Sequence, residues 1–210
     1  MSGLKNINRR TLLKSTAAVG AGLALPTIFT SASRAAYLNE PKGSTVTFGF
    51  NVPQTGAYAD EGADELRAYQ LAVDHLNGEG DGGMLNTMKP LTLKGDGVLG
   101  KKVAFVTGDT QTKSDAARAS AKRMIEKDGA VMITGGSSSG VAVAVQSLCQ
   151  EMGVIFMAGL THSNDTTGKD KRANGFRHFF DAYMSAAALA PVLKSEYGTD
   201  RKAYHLTADY

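Results

Sequence analysis

The sequence predicts a parallel, doubly wound α/β sheet, and two observations carry that prediction. Short apolar runs alternate with helical patterns from residue 45 to residue 207, separated by short turns. Within the stretch Ala130–Thr167, two such runs each empty into a loop dense with small hydroxyl residues. Ser137, Ser138 and Ser139 follow Ala130–Thr134, and Thr161 and Ser163 follow Val154–Ala158. In an open parallel sheet such loops lie at the carboxyl ends of the strands, where ligands bind.

The first strand, Thr45–Asn51, alternates its side chains with the period of two that a half-buried strand requires. It breaks at Pro53-Gln54-Thr55-Gly56, a set of turn formers. A helix over residues 60–77 follows, with Leu66, Tyr69, Val73 and Leu76 along one face. It stops in the glycine-rich run 78–83. That run closes a helix, whereas a dinucleotide fingerprint must open one, and it lacks the spaced acids of a calcium loop. Residues 84–100 read as a polar segment with a small hairpin around Gly95-Asp96-Gly97.

A second strand, Lys102–Thr107, ends at Gly108-Asp109-Thr110. The helix Ser114–Lys127 takes Ser114 as its expected N-cap and has Gly129 just past its end. Its apolar face, Ala117, Ala121, Met124 and Ile125, is small enough to lie close on a sheet. The strand Ala130–Thr134, the helix 139–152 and the strand Val154–Ala158 come next. Beyond a polar loop, a strand Phe176–Asp181 precedes a helix Ser185–Tyr197, which stops at Gly198, and a last strand Lys202–Thr207. That last strand has no helix behind it, although parallel strands are normally covered on both faces. The expectation is therefore the front part of a longer protein.

Charge and leader narrow the function. Of 23 basic side chains, Lys5, Arg9, Arg10, Lys14 and Arg34 crowd the first 35 residues, which hold no acid. Setting those five aside leaves 18 basic against 20 acidic groups, so the formal charge of +3 belongs to the leader. A slightly acidic body gives no reason to expect nucleic acid as a partner. The leader runs from a basic start through the apolar stretch Ser15–Phe29 to small residues, with a cleavage site expected near Ala35. The stretch is shorter than the roughly 20 residues of a membrane span. Arg9-Arg10 followed by Thr11-Leu12-Leu13-Lys14 resembles a twin-arginine export signal. The only cysteine, Cys149, allows no internal disulfide, and no cysteine stands at the leader's end for acylation. The expected location is the periplasm, without a lipid anchor. Residues 36–44 read as a linker.

Several further patterns fall in the order of a known family. They are Thr55-Gly56 with Gly62, Leu71-Ala72-Val73-Asp74 with Asn77, Gly108-Asp109, Gly135 to Ser139, Gly153-Val154 and Phe176-Arg177. From residue 45 to residue 210 the chain resembles the leucine/isoleucine/valine-binding type of periplasmic solute-binding protein, the soluble receptor of an ABC importer. The resemblance implies a type I periplasmic-binding-protein fold, two hinged α/β lobes closing on a solute. Lobe one would span 45–178, and lobe two would begin at 179 and be truncated at 210. It also implies a non-enzymatic, monomeric receptor without cofactor, partnered by a membrane permease and carrying an amino-acid-like or related polar solute. By position, Ser139 with Ser138 beside it matches the family's solute-binding serine, and Leu160, Thr161 and His162 match its second binding loop. Tyr58 and Glu61 fall where the family presents cleft-edge residues, and Glu61 could pair with a solute ammonium. His162 stands where a small hydroxyl residue is usual, and the family's frequent two-cysteine clip is absent, which points to an unusual solute.

Two rival readings remain. Gly136-Ser137-Ser138-Ser139-Gly140 matches the G-x-S-x-G elbow of α/β-hydrolases, with Ser138 as nucleophile, Asp165 or Asp181 as acid and His178 or His205 as base. No oxyanion-hole motif precedes it. The other is a sensor ectodomain sharing the fold. His75, His162, His178 and His205 show no metal-ligand spacing.

Overall fold

The computed structural model describes residues 39–79 and 97–206. The leader with Arg9, Arg10 and Ala35, most of the polar segment with its hairpin, and the end of the last strand lie outside the described residues.

Five parallel strands form one sheet in the order β2-β1-β3-β4-β5. They are β1 (Thr45–Val52), β2 (Lys102–Asp109), β3 (Met132–Gly135), β4 (Ile155–Ala158) and β5 (Gly175–Arg177). The helices are α1 (Ala59–Leu76), α2 (Ser114–Glu126), α3 (Ser139–Met152) and α4 (Ala182–Tyr197). The chain leaves β1 for β2 on one side and then crosses back to β3 on the other, so the order reverses at β1. The loops after β1 and β3 therefore flank the crevice where doubly wound sheets bind ligands.

Each sheet face has its own apolar layer. Val46, Phe50 and Val103 meet Val73 of α1 on one face, with Leu66, Tyr69 and Leu76 at the margin. On the other, Ile133 and Phe156 meet Ala117, Ala121, Met124 and Ile125 of α2 and Val141, Val145 and Cys149 of α3. The expected face of α2 is completely buried. Small side chains there let the backbone approach the sheet, where dispersion contacts are densest. Cys149 is fully buried in this layer, and burial, opposed by Arg118, pushes its thiol up to about 12. It is a packing residue with no thiolate chemistry near neutral pH.

The boundaries differ from expectation in instructive ways. Strands β3 and β4 start after Ala130 and Val154, because those two amides close the preceding helices instead, donating to the carbonyls of Met124 and Cys149. Helix α2 is not capped by Ser114, which is its first helical residue. Lys113 holds the cap position without a side-chain bond. The turn before it closes on itself: the Thr110 hydroxyl accepts from the Thr112 amide and the Thr110 carbonyl from the Lys113 amide.

Strand β5 ends at Arg177, well short of Asp181, since β4 offers partners only from Phe156 to Ala158. Asp181 instead caps α4, accepting the Met184 amide at 2.9 Å, so the helix begins three residues earlier than Ser185. Lys202–Thr207 is not a strand over its described part. Among the described residues no neighbouring strand supplies a ladder, and Tyr204 and Leu206 are fully exposed. Helix α4 likewise buries no residue.

Candidate functional site

The site grows from the loop after β3. Gly135 and Gly136 take φ of 122° and 76°, backbone that side chains resist. At Gly135 a Cβ would sit 2.2 Å from the Asn51 carbonyl oxygen of β1. This turn delivers Ser137, Ser138 and Ser139 to the start of α3. Ser138 occupies the N-cap position but its side chain makes no capping bond, and Ser139 is the first helical residue.

Ser139 joins the loop after β4 instead. Its Oγ lies 3.1 Å from the hydroxyl of Thr161, which is completely buried, and accepts the Ser163 amide at 3.3 Å. With its lone pairs occupied, the Ser139 O–H is left to donate. Free amides at the start of α3 lie beside it, and a helix N-terminus favours an anion. Neutral donors of this kind hold a carboxylate without burying a second charge.

The loop carrying Thr161 is tied down from β5. Arg177 Nη1 donates to the Thr161 carbonyl at 2.6 Å, and its Nη2 donates to the Ser163 carbonyl. The Ala182 amide reaches the His162 carbonyl at 2.8 Å, and the Tyr183 amide reaches Asn164 Oδ1 at 3.0 Å. Each residue from 161 to 164 is thus held by the segment that leads out of the sheet. The exposed ring of His162 packs at 5.1 Å from Phe179 and 5.0 Å from Phe180, which stack on each other at 4.3 Å.

The loop after β1 is organised by Asp109 at the end of β2. Its carboxylate accepts from the Gln54 and Thr55 amides, the Thr55 hydroxyl at 2.6 Å and the Gln111 amide. Partial burial pushes this carboxyl up, but the Thr55 hydroxyl and the three amides outweigh it and hold it below the ordinary value. Past this loop Gly62 lets α1 rest on the chain, where a Cβ would meet the Pro53 carbonyl oxygen at 1.8 Å.

The expected residues divide into two groups. Ser139 and Thr161 meet across the β3 and β4 loops, whereas the ring of His162 lies against Phe179 and Phe180. Glu61 and Leu160 line an open pocket of about 360 Å³ between α1 and the end of β4, together with Glu65, Tyr69 and His178. Tyr58, half-buried at the cap position of α1, and Ser138 do not line that pocket.

The pocket also contains what sequence reasoning missed. Glu65 is 7% exposed, and its carboxylate accepts from Tyr69 at 2.6 Å and Ser137 at 2.7 Å. Burial, then the charge of Glu65 and its hydrogen bond, push the Tyr69 hydroxyl well above its usual range, against a smaller pull from Thr134. Among the described residues no ion pair reaches Glu65. A signal was available: Glu65 continues the stripe of Tyr69, Val73 and Leu76 one turn earlier, an acid on the buried side of an amphipathic helix.

A hydrolase triad is not assembled. Ser138 has φ −84° and ψ 135°, ordinary extended backbone rather than a strained elbow. Asp165 pairs with Lys169, Asp181 caps α4, His178 lines the pocket with Glu65 without a hydrogen bond to Ser138, and His205 lies in an exposed tail. Among the described residues no three of His, Cys, Asp and Glu gather as metal ligands, and no helix is long and apolar enough to cross a membrane.

Comparison with known proteins bears on the fold and the family. A Leu/Ile/Val-binding protein homolog 7 from Brucella abortus is 25% identical over 174 residues, 81% of this chain and 39% of that protein. The chain thus spans about two fifths of the length of the curated relatives it matches. A solute binding protein of an ABC transporter from Rhodopseudomonas palustris, in complex with 3,4-dihydroxy benzoic acid, superimposes with TM-score 0.60 at 20% identity. That match covers 74% of this chain and 37% of the other. The branched-chain amino acid transporter substrate binding protein LivJ from Streptococcus pneumoniae, in complex with isoleucine, gives 0.56 at 20% identity over 73% and 38% of the two chains. These likenesses establish a shared fold of the type I periplasmic binding proteins. A twin-arginine translocation signal matches residues 6–26, so the protein is exported to the periplasm. With residues 45–210 matching the family's sequence pattern, the chain belongs to the periplasmic binding protein family.

Proposed function

We propose that this chain is the solute-capturing part of a periplasmic receptor serving an ABC importer. Its solute is a small amino-acid-like or related polar carboxylate. The observation that carries this reading is the Ser139–Thr161 hydroxyl pair at the carboxyl edge of β3 and β4, in a chain of this family. Ser139 and the free amides of α3 receive the solute carboxylate, with Ser138 beside them. Thr161 and His162 form the opposite wall, and Leu160, Glu61 and Tyr58 the rim. Residues 45–178 form the first lobe and residues from 179 onward begin the second. Closure of the two about the crossing segment presents a monomeric receptor to its membrane permease.

Relatives bind both isoleucine and a dihydroxybenzoic acid, which share a carboxylate and little else. The Phe179–Phe180 stack against His162 favours a solute with a planar or bulky end. A thermal-shift screen of the mature full-length protein against amino acids, amides and small carboxylates tests the reading. A carboxylate should raise the wild-type Tm, and Ser139→Ala should abolish the rise. Serine-dependent ester hydrolysis, or no response to any compound, would overturn it.

A further inference from the structure

We propose that Glu65 of α1 is a specificity determinant that selects solutes bearing a cationic nitrogen, an ammonium or amidinium, in the pocket between α1 and β4. This deepens the receptor reading and rests on it. Three features of Glu65 combine. The residue is more than nine-tenths buried yet lines an open pocket of about 360 Å³. Its two partners, Tyr69 and Ser137, are neutral hydroxyls that fix its position without cancelling its charge. Among the described residues, no cation pairs with it, whereas Asp64 one residue away is paired with Arg67.

A carboxylate held this way is preorganised for a positive group that arrives from outside, because its geometry is set before the ligand binds. Ser137 links it to the anion-holding loop, two residues before Ser139, and Leu160 links the pocket to Thr161. A cationic nitrogen at Glu65 and a carboxylate at Ser139 would then be read by one continuous edge of the sheet. Gly159 keeps the space open: a Cβ there would lie 2.2 Å from Glu65 Oε1. The aromatic ring of Tyr69, on the wall of the same pocket, adds a surface suited to a cation.

The test uses the mature full-length protein and matched probes. L-leucine is titrated beside the hydroxy acid in which a hydroxyl replaces the ammonium, and L-arginine beside L-citrulline, in which a neutral urea replaces the guanidinium. Choline is titrated beside its neutral carbon isostere. Calorimetry gives affinity and thermal unfolding gives the ligand-free Tm. At least one compound should bind at least about tenfold more tightly than its partner lacking the cationic nitrogen. Glu65→Gln should remove that preference while the ligand-free protein still unfolds cooperatively on heating. Glu65→Asp keeps the charge on a shorter arm and should retain a reduced preference, so the comparison stands even if one variant folds poorly.

Equal affinity for both members of every pair overturns the proposal. So does a Glu65→Gln protein that keeps its preference. Binding only of carboxylates that lack a cationic nitrogen overturns it while leaving the receptor reading intact. Binding of no compound of any class removes both.

Discussion

Helix α3 buries Val141, Ala142, Val145 and Cys149 against the sheet, whereas α4, with Leu189, Val192 and Leu193 on its surface, buries no residue. The two segments are similarly apolar by sequence, and both were expected as helices. What separates them is the surface behind them. α3 lies between β3 and β4 and shares a layer with α2, while α4 has no strand beneath it among the described residues. An apolar helix gains stability only by removing area from water, at about 25 cal/mol per Å². α4 carries the side chains for that gain and has not realised it.

The comparison can be broken most directly in the core beneath α3. Phe156→Ala should cost about 3–5 kcal/mol in urea denaturation, because a fully buried ring leaves a cavity that the strands cannot close. A much smaller loss would mean that the α3 layer is as loose as α4.

Arg177 stands where the two regions join, and Arg177→Lys should cost about 1.5–3 kcal/mol. A lysine cannot hold the Thr161 and Ser163 carbonyls in one fork. Faster amide exchange at Ser163 and Ala182, with unchanged exchange in β1, would localise that loss to the loop.

Ser139→Ala should cost about 1 kcal/mol, since the Thr161 hydroxyl keeps its burial and loses its partner. Leu193→Ala on α4 should change stability by less than about 0.5 kcal/mol in residues 1–210. A cost near that of Phe156→Ala would show that something covers α4.

The smallest effect is a pH dependence. Asp109 titrates below the ordinary carboxylate range, so its contribution is full above the unfolded value near 4 and is lost as pH falls through the folded value. The stability gap between the protein and Asp109→Asn should therefore hold steady near neutrality and shrink below about pH 4.

Much of the architecture was legible before any coordinate. The α2 face of Ala117, Ala121, Met124 and Ile125 was readable because helical period is a local property, and all four are fully buried. The parallel order of strand and helix was equally local in origin. Strand ends were not, because a strand extends only as far as its neighbour does. Phe176–Asp181 shortened to Gly175–Arg177 where β4 ran out, and Lys202 to Leu206 found no neighbour. Ser139 and Thr161 were both singled out from sequence, but their mutual bond depends on two loops 22 residues apart converging at one sheet edge.

Glu65 marks the limit of sequence reading. On a helical wheel it is an acid in line with the apolar stripe of Tyr69, Val73 and Leu76, which marks it for burial without saying what would hold its carboxylate. Only the sheet's carboxyl edge decides that, since Ser137 and Gly159 come from two different strands to enclose it. The sequence by itself determined the export route, the fold class and the hydroxyl-rich loops, because each rests on neighbours along the chain. Tertiary structure decided which hydroxyls meet, what clamps their loop and which carboxylate lies buried. Those are contacts between segments far apart in sequence, formed only when the sheet sets strand order and register.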